Sequence, residues 1–258
     1  MIYGMPTLIE TNEIQDCAKL CRDLGLSFVE LNMNLPQYQH DKINVDLFNA
    51  LAGKYGITYS IHLDENTNVS DFNPYISKAY LRTVEDTIEI AKRLNARIIN
   101  MHMSKGVYFT LPSGRVYLFE KYLDKYLDSI AVFRNICEKA IGESDILICI
   151  ENSNGYENFQ IKALEILLQS RAFGLTFDIG HNYAIGGSDE EFIMSNINKL
   201  RHFHIHDATR ERDHLVLGEG EINVPKYIDL AKRLDASAVI ETKTVDSLKK
   251  SCDIIKTI

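Results

Sequence analysis

The sequence predicts an α/β chain of the (β/α)8 barrel class, a single domain over residues 1–258. Three observations predict it. β-rich apolar runs alternate with helix-period segments from end to end, the pattern of parallel strands joined by helical crossovers. Eight such units follow one another in 258 residues, close to the usual size of a closed barrel. No linker, low-complexity tract or shift of composition interrupts them. A doubly wound open sheet is the alternative that strand–helix alternation leaves open.

Residues 2–8 form the first β-rich run. Thr11 then precedes apolar positions at helical spacing, Ile14, Cys17, Ala18, Cys21 and Leu24, and Gly25 supplies the stop. The second strand is SFVELNM at 27–33. A helix over 45–55 ends at Gly56, and the third strand is ITYSIHL at 57–63. A long amphipathic helix over 74–94 leads to the fourth strand, RIINMHM at 97–103. Residues 107–119 differ, because two β-rich runs flank Pro112-Ser113-Gly114, the signature of a hairpin excursion. Next come a helix over 122–140, the fifth strand DILICIENS at 145–153, a helix over 159–169 and the sixth strand AFGLTFDIGH at 172–181. Ser188 and Glu191 stand at capping-box spacing for a helix to Lys199. The seventh strand spans 200–207, and Asn223-Val224-Pro225 starts a helix that ends near Leu234. The eighth strand is ASAVIETK at 236–243, and a last helix covers 246–257.

Composition narrows the class. Apolar residues make up 45% and charged residues 25%, as in an ordinary globular chain. The net charge of −8 argues against a large nucleic-acid or anionic-membrane footprint and leaves room only for a local basic rim. No apolar run reaches the length of a bilayer span, and the first residues lack the basic start and apolar run of a signal peptide. Five cysteines without a C-x-x-C pair read as small buried groups in a reducing compartment, so a cytoplasmic location is expected.

Chemistry-bearing side chains fall late in six consecutive predicted strands. In order these are His62, then His102, then Glu151 followed by Asn152, then Asp178 and His181, then His204, His206 and Asp207, and finally Glu241 and Lys243. In a barrel these strand ends meet at one mouth, where catalytic groups sit. A single strand histidine is most simply a hydrogen-bonded core group, but six equivalent strand ends need a common cause. His202, His204 and His206 alternate with Phe203 and Ile205, so the three imidazoles share a face and should meet a metal, carboxylates or water. Histidine, aspartate and glutamate without cysteine suit a divalent metal: Zn2+, Mn2+, Mg2+, Co2+ or Fe2+. Glu151, Asp178, His204 and Glu241 can hold one ion, and three carboxylates with one imidazole favour Mn2+ or Mg2+. His62 and His102 then complete a second site or hydrogen-bond substrate, and His181 with His214 offers a third. Glu30 and Asn32 are candidate substrate contacts. Tyr108, Phe109 and Tyr117 suit a lid, a cross-strand cluster or a second subunit, so a homo-oligomer stays open.

At these positions the sequence resembles the xylose isomerase-like TIM barrels, a superfamily of sugar phosphate isomerases and epimerases that also holds the AP endonucleases of the endonuclease IV type. The resemblance covers nearly the whole chain. It is anchored by IENS at 150–153, FDIGH at 177–181, HIHD at 204–207, DHLVLGEGEI at 213–222 and IETK at 240–243. These motifs mark the superfamily and not one activity within it. The epimerase branch implies a single divalent metal on Glu151, Asp178, His204 and Glu241. It also implies substrate contacts from His181 and Arg210, with Glu151 and Glu241 as the acid–base pair. The endonuclease branch implies three zinc ions, with His62, His102, His181 and His214 joining the ligands. That branch has an aspartate two residues before the last histidine, where this chain has Arg212; Glu211 and Asp213 are the neighbours able to compensate.

Two reactions follow from these residues. An isomerase or epimerase acting on a sugar or sugar phosphate removes a proton beside a carbonyl. A divalent ion stabilises the enediolate, and two carboxylates work on opposite faces of the carbon. A phosphodiesterase needs two or three ions and a cationic mouth. Lys105, Arg115, Arg210, Arg212 and Lys243 are its cations, a set equally suited to one sugar phosphate. With His206 as a second-shell or substrate group, the expectation is a metal-dependent isomerase or epimerase. The alternatives are an AP endonuclease and a barrel that binds metal or sugar without catalysis, for which intact carboxylates at 151, 178 and 241 argue poorly.

Overall fold

In the computed structural model, which describes residues 1–258, the alternation within the β-rich runs sorts side chains onto the two faces of one closed sheet. The first half runs β1 (Ile2–Pro6), α1 (Ile14–Asp23), β2 (Phe28–Asn32), α2 (Val45–Tyr55), β3 (Thr58–His62), α3 (Pro74–Leu94) and β4 (Ile98–His102). A hairpin of β5 (Tyr108–Leu111) and β6 (Gly114–Tyr117) follows, then α4 (Leu118–Lys121), α5 (Leu123–Ile141), β7 (Leu147–Glu151) and α6 (Asn158–Leu167). The last part runs β8 (Phe173–Asp178), α7 (Ile179–Ala184), α8 (Glu190–Ser195), β9 (Leu200–Ile205), α9 (Val224–Leu234), β10 (Ser237–Ile240) and α10 (Val245–Ile255).

The eight parallel strands close in the order β1-β10-β9-β8-β7-β4-β3-β2, with β1 pairing both β2 and β10. Closure settles the choice between barrel and open sheet. Val29, Leu31, Ile61, Ile99, Ile148, Leu175, Phe203 and Ile205 are buried between sheet and helices. Their neighbours in sequence turn inward, and there Glu30, Ser60, Asn100, Glu151, Thr176, Asp178, His202 and His204 are buried as well. A barrel interior is ordinarily filled with branched aliphatic side chains, whereas this one is polar through much of its depth. All five cysteines are free and buried. No helix is long and apolar enough to cross a membrane.

Helix ends follow local chemistry. α2 stops at Gly56 in the left-handed region (φ 66°), as its position predicts. Asn73 and Asn223 cap α3 and α9 with their side chains, each beside a proline in the first turn. Two expectations fail. The sixth strand does not run to His181: it ends at Asp178, whose carboxylate Oδ1 accepts the His181 N–H at 2.6 Å and so starts α7. Ser188 and Glu191 form no capping box, because Asp189 precedes α8 and its carboxylate accepts the Tyr156 N–H instead. A capping box does form at Glu157 and Gln160, ahead of α6.

Candidate active site

Four donors expected to share an ion come together at the barrel mouth. Glu151 ends β7, Asp178 ends β8, His204 lies in β9 and Glu241 follows β10. One ligand atom from each lies within 4.8 Å of all the others. His204 Nδ1 is 2.9 Å from Glu241 Oε2 and 3.1 Å from Glu151 Oε1, with Asp178 Oδ2 at 3.9 Å. Glu151 and Asp178 are fixed from behind. Asn100 Nδ2 donates to Glu151 Oε2. Asn152 clamps the end of β8 by accepting the Asp178 N–H and donating to its carbonyl, both at 2.9 Å. His206 Nδ1 accepts the His214 N–H at 2.8 Å, so the proton sits on Nε2 and is donated to Asp178 at 3.1 Å. A Cβ on Gly180 would stand 1.9 Å from the His206 ring, which explains the glycine in FDIGH.

The surrounding donors fit a divalent ion. His62 donates Nδ1–H to the Leu63 carbonyl at 2.7 Å, which turns its Nε2 toward Glu151 at 3.4 Å. A backbone carbonyl on the far ring nitrogen is the usual second-shell partner of a metal-bound histidine. His102 Nε2, His181 Nδ1 and Glu241 Oε2 are buried without a hydrogen-bond partner, yet each faces oppositely charged groups of this cluster at 2.9–3.7 Å. Polar atoms orphaned around one point are what a cation would satisfy.

A second cluster lies beside the first. His181, His206 and His214 bring ring nitrogens within 4.8 Å of one another. Asp213 lies 3.0 Å from His214 and 3.7 Å from His181. Asp213, one of the two neighbours able to compensate for Arg212, is thus the carboxylate that reaches these rings. His214 adopts a left-handed backbone (φ 54°) that directs this turn.

Several expected contacts move elsewhere. His206 is fully buried and has both ring nitrogens engaged, so it stands behind Asp178, the first of the two places expected for it. Arg210 is exposed, stacks on Tyr183 and donates to the Tyr183 carbonyl at 3.0 Å, outside the cavity. Asp207 is an anchor: its buried carboxylate accepts the N–H groups of Ala208, Gly218 and Ile222 at 2.9, 2.8 and 3.1 Å. Gly220 packs against it, with a Cβ position 2.3 Å from Asp207 Oδ1. Asp207→Asn is expected to lower stability by about 1–3 kcal/mol in urea denaturation by loosening loop 208–222. Glu30 and His202, on the floor side of His204, form a buried pair at 3.1 Å. Glu30 therefore touches His204 and not the cavity, a role that alternation alone did not reveal.

Above the four donors opens a cavity of about 450 Å³, a size suited to a small molecule. His62, His102, Glu151, His181, Glu241 and Lys243 line it together with Asn32, Glu65, Asn154, Asp213 and His214. Lys243 is its one cationic residue apart from histidine, and Nζ lies 2.8 Å from Glu241. Lys105 is paired with Glu157 at 2.9 Å, and Arg115 lies over Tyr108 on the hairpin.

The electrostatics of the ion-free protein follow from burial and proximity. Burial opposes the charge of Glu151, but His204 and His102 outweigh it and hold the carboxyl well below its usual range. Glu241 is likewise held down against burial by His204 and His214, and Asp178 by His181 and His206. Burial also opposes a charge on His62, but Glu151 prevails and lifts it to about 9. The raised imidazole stabilises the fold fully below its unfolded value of about 6.5 and loses that contribution as pH rises through its folded value. The depressed carboxylates stabilise above their unfolded values and lose that contribution only in acid. The urea midpoint of the ion-free protein is therefore expected to fall between roughly pH 7 and pH 10, while its affinity for a divalent ion rises with pH because ion and protons compete.

A closed parallel barrel with carboxylates and imidazoles gathered at the ends of its later strands belongs to the class of (β/α)8 barrels, and its mouth carries groups that could hold a metal ion. More narrowly, the chain belongs to the xylose isomerase-like TIM barrel family, whose model matches residues 18–258. It is 31% identical over 214 residues to the uncharacterized protein MJ1614 of Methanocaldococcus jannaschii, covering 81% of this chain and 80% of that one. Among solved structures it is similar to a D-tagatose 3-epimerase-like protein, at 23% identity and a TM-score of 0.81, over 100% of this chain and 96% of that one. It is also similar to the 3-keto-D-glucoside 4-epimerase YcjR from E. coli, at 14% identity and a TM-score of 0.80, over the whole of both chains. At these identities the likeness to solved structures is one of fold.

Proposed function

We propose that this chain is a divalent-metal-dependent sugar epimerase or isomerase that moves a proton at a carbon beside a carbonyl. The observation that carries the reading is that Glu151 and Glu241, which line one cavity, bring their carboxylates together with Asp178 and His204. In the barrel order, β8 and β9 separate their strands on one side and β4, β3, β2 and β1 on the other, so the two carboxylates approach from different directions. A divalent ion held by the four donors supplies the Lewis acidity that makes a proton beside a carbonyl removable.

The side chains do the rest. One carboxylate takes the proton from its face of the carbon. The other returns a proton from the opposite face for epimerisation, or a proton goes back to the neighbouring carbon for isomerisation. In the ion-free protein both carboxyls are held ionised at neutral pH, so either can serve as base, and its partner must take up a proton from water before it can return one to the opposite face. Lys243 holds Glu241 from the solvent side, while Asn100, His62 and His102 hold Glu151. Asn32, Glu65, Asn154 and Asp213 offer hydrogen bonds to hydroxyl groups. The cavity has one lysine, already paired with a carboxylate, and no arginine, so its lining suits an unphosphorylated sugar better than a sugar phosphate. Family and fold neighbours support the sugar reading.

A panel of ketoses and their phosphates, incubated with Mn2+-loaded protein and resolved by chromatography, tests this. Turnover is expected among the unphosphorylated sugars, and conversion confined to the phosphates would reject the substrate reading. One observation favours a second reading. His181, His214 and Asp213 beside the four donors resemble the makings of a multi-ion phosphodiesterase. Its mark would be nicking of a duplex carrying an abasic site.

A further inference from the structure

We propose that Glu30, held by His202, Ser60 and Ser237, is a positioning residue that presents His204 to the divalent ion and sets how tightly that ion is held. The proposal rests on the metal-dependent reading above. The four residues come from four strands, β2, β9, β3 and β10, and none of them lines the substrate cavity. They form one hydrogen-bonded column in the lower barrel. Ser237 Oγ lies 2.6 Å from His202 Nδ1 and donates to it, which leaves the His202 proton on Nε2. That Nε2–H is donated to Glu30 Oε2 at 3.1 Å. Ser60 donates to the same oxygen at 3.0 Å. With Oε2 so occupied, Oε1 turns to His204 Nε2 at 2.9 Å, a close ion-pair contact set off the axis of a linear hydrogen bond.

The consequence is directional. An imidazole whose Nε2 side is committed to a carboxylate offers Nδ1 to whatever lies opposite. Opposite His204 Nδ1 stand Glu151 and Glu241, at 3.1 and 2.9 Å. A carboxylate behind a ligand histidine fixes the ring and makes it a stronger donor. Burying that carboxylate in a barrel interior, where aliphatic side chains are the rule, is costly unless its partners are all in place. Ser60 and Ser237 complete those partners at the barrel floor, where both also line a cavity of about 460 Å³. Packing alone would be served by leucine or isoleucine at position 30. The column as built serves the histidine above it.

The test is Mn2+ titration by calorimetry on the metal-stripped full chain, for the natural protein, Glu30→Gln and Ser60→Ala. Glu30→Gln keeps the shape and removes the charge, and is expected to weaken Mn2+ binding by about 10- to 100-fold. Ser60→Ala removes one hydrogen bond to Glu30 and is expected to weaken it by roughly five-fold. The visible absorption of bound Co2+ is expected to shift in Glu30→Gln, because the field of His204 changes. A purely structural role would lower the urea midpoint and leave both metal readouts alone. Unchanged Mn2+ affinity in both variants would overturn the positioning role, with Ser60→Ala deciding if Glu30→Gln does not fold. Absence of Mn2+ binding by the natural protein would instead overturn the metal-dependent reading beneath it.

Discussion

Glu151→Gln and Glu241→Gln are each expected to lower turnover by about 10²- to 10⁴-fold, the usual contribution of a positioned general acid or base. Glutamine fills the same volume, and at position 151 its carbonyl still accepts from Asn100, so the fold should persist with an unchanged near-ultraviolet spectrum. What disappears is a group able to take and return a proton. Each substitution also removes a negative charge from the donor set, so part of the loss should appear as weaker ion binding. Assays at saturating Mn2+ separate the two effects. Loss that survives saturation belongs to proton transfer, and loss that saturation restores belongs to ion binding. Full turnover in either variant would remove that carboxylate from the proposed acid–base pair.

Removal of the ion has the second large effect. Three carboxylates with donor atoms inside 4.8 Å repel one another, and in the ion-free protein the imidazoles between them and Lys243 beside Glu241 only partly offset this. A chelator is expected to abolish turnover and lower the melting temperature, and Mn2+ or Co2+ should restore both. At a free ion concentration 100 times the dissociation constant, binding stabilises the fold by about 2.7 kcal/mol, a shift that thermal denaturation resolves readily. Full activity after verified stripping would contradict the metal-dependent mechanism.

The fold was legible because barrel strands carry a double signal. In the later halves of SFVELNM, ITYSIHL and RIINMHM the outward residues Val29, Leu31, Ile61, Leu63, Ile99 and Met101 are apolar and the inward Glu30, Asn32, Ser60, His62, Asn100 and His102 are polar, so period-2 alternation marked both strand and mouth. The four central donors were legible for the same reason, since each is the last inward position of its strand or close to it. The failures are local and tertiary. His181 was placed on a strand because FDIGH continues an apolar run, whereas the Asp178 side chain caps a helix there. Arg210 was expected at substrate, and His206 at substrate or behind a ligand. A sequence records that a residue is near the mouth, but not that a backbone N–H or a tyrosine ring has already engaged it. Of the two acids able to stand in for the aspartate replaced by Arg212, only the folded loop, with its left-handed residue at His214, shows that Asp213 is the one beside the histidines. Glu30 was visible as an inward strand residue, but its partner His202 lies 172 positions away, and only the closed barrel brings them together.

Proton exchange by Glu151 and Glu241 at a sugar carbon beside a carbonyl is the proposed chemistry. It is tested most directly by proton NMR of unphosphorylated ketoses incubated in D2O with the Mn2+-loaded protein. Deuterium is expected to enter at one carbon next to the carbonyl, together with formation of the epimer or aldose, and Glu151→Gln and Glu241→Gln to suppress it. Absence of deuterium from every ketose, with cleavage of abasic DNA by the same preparation, would contradict it.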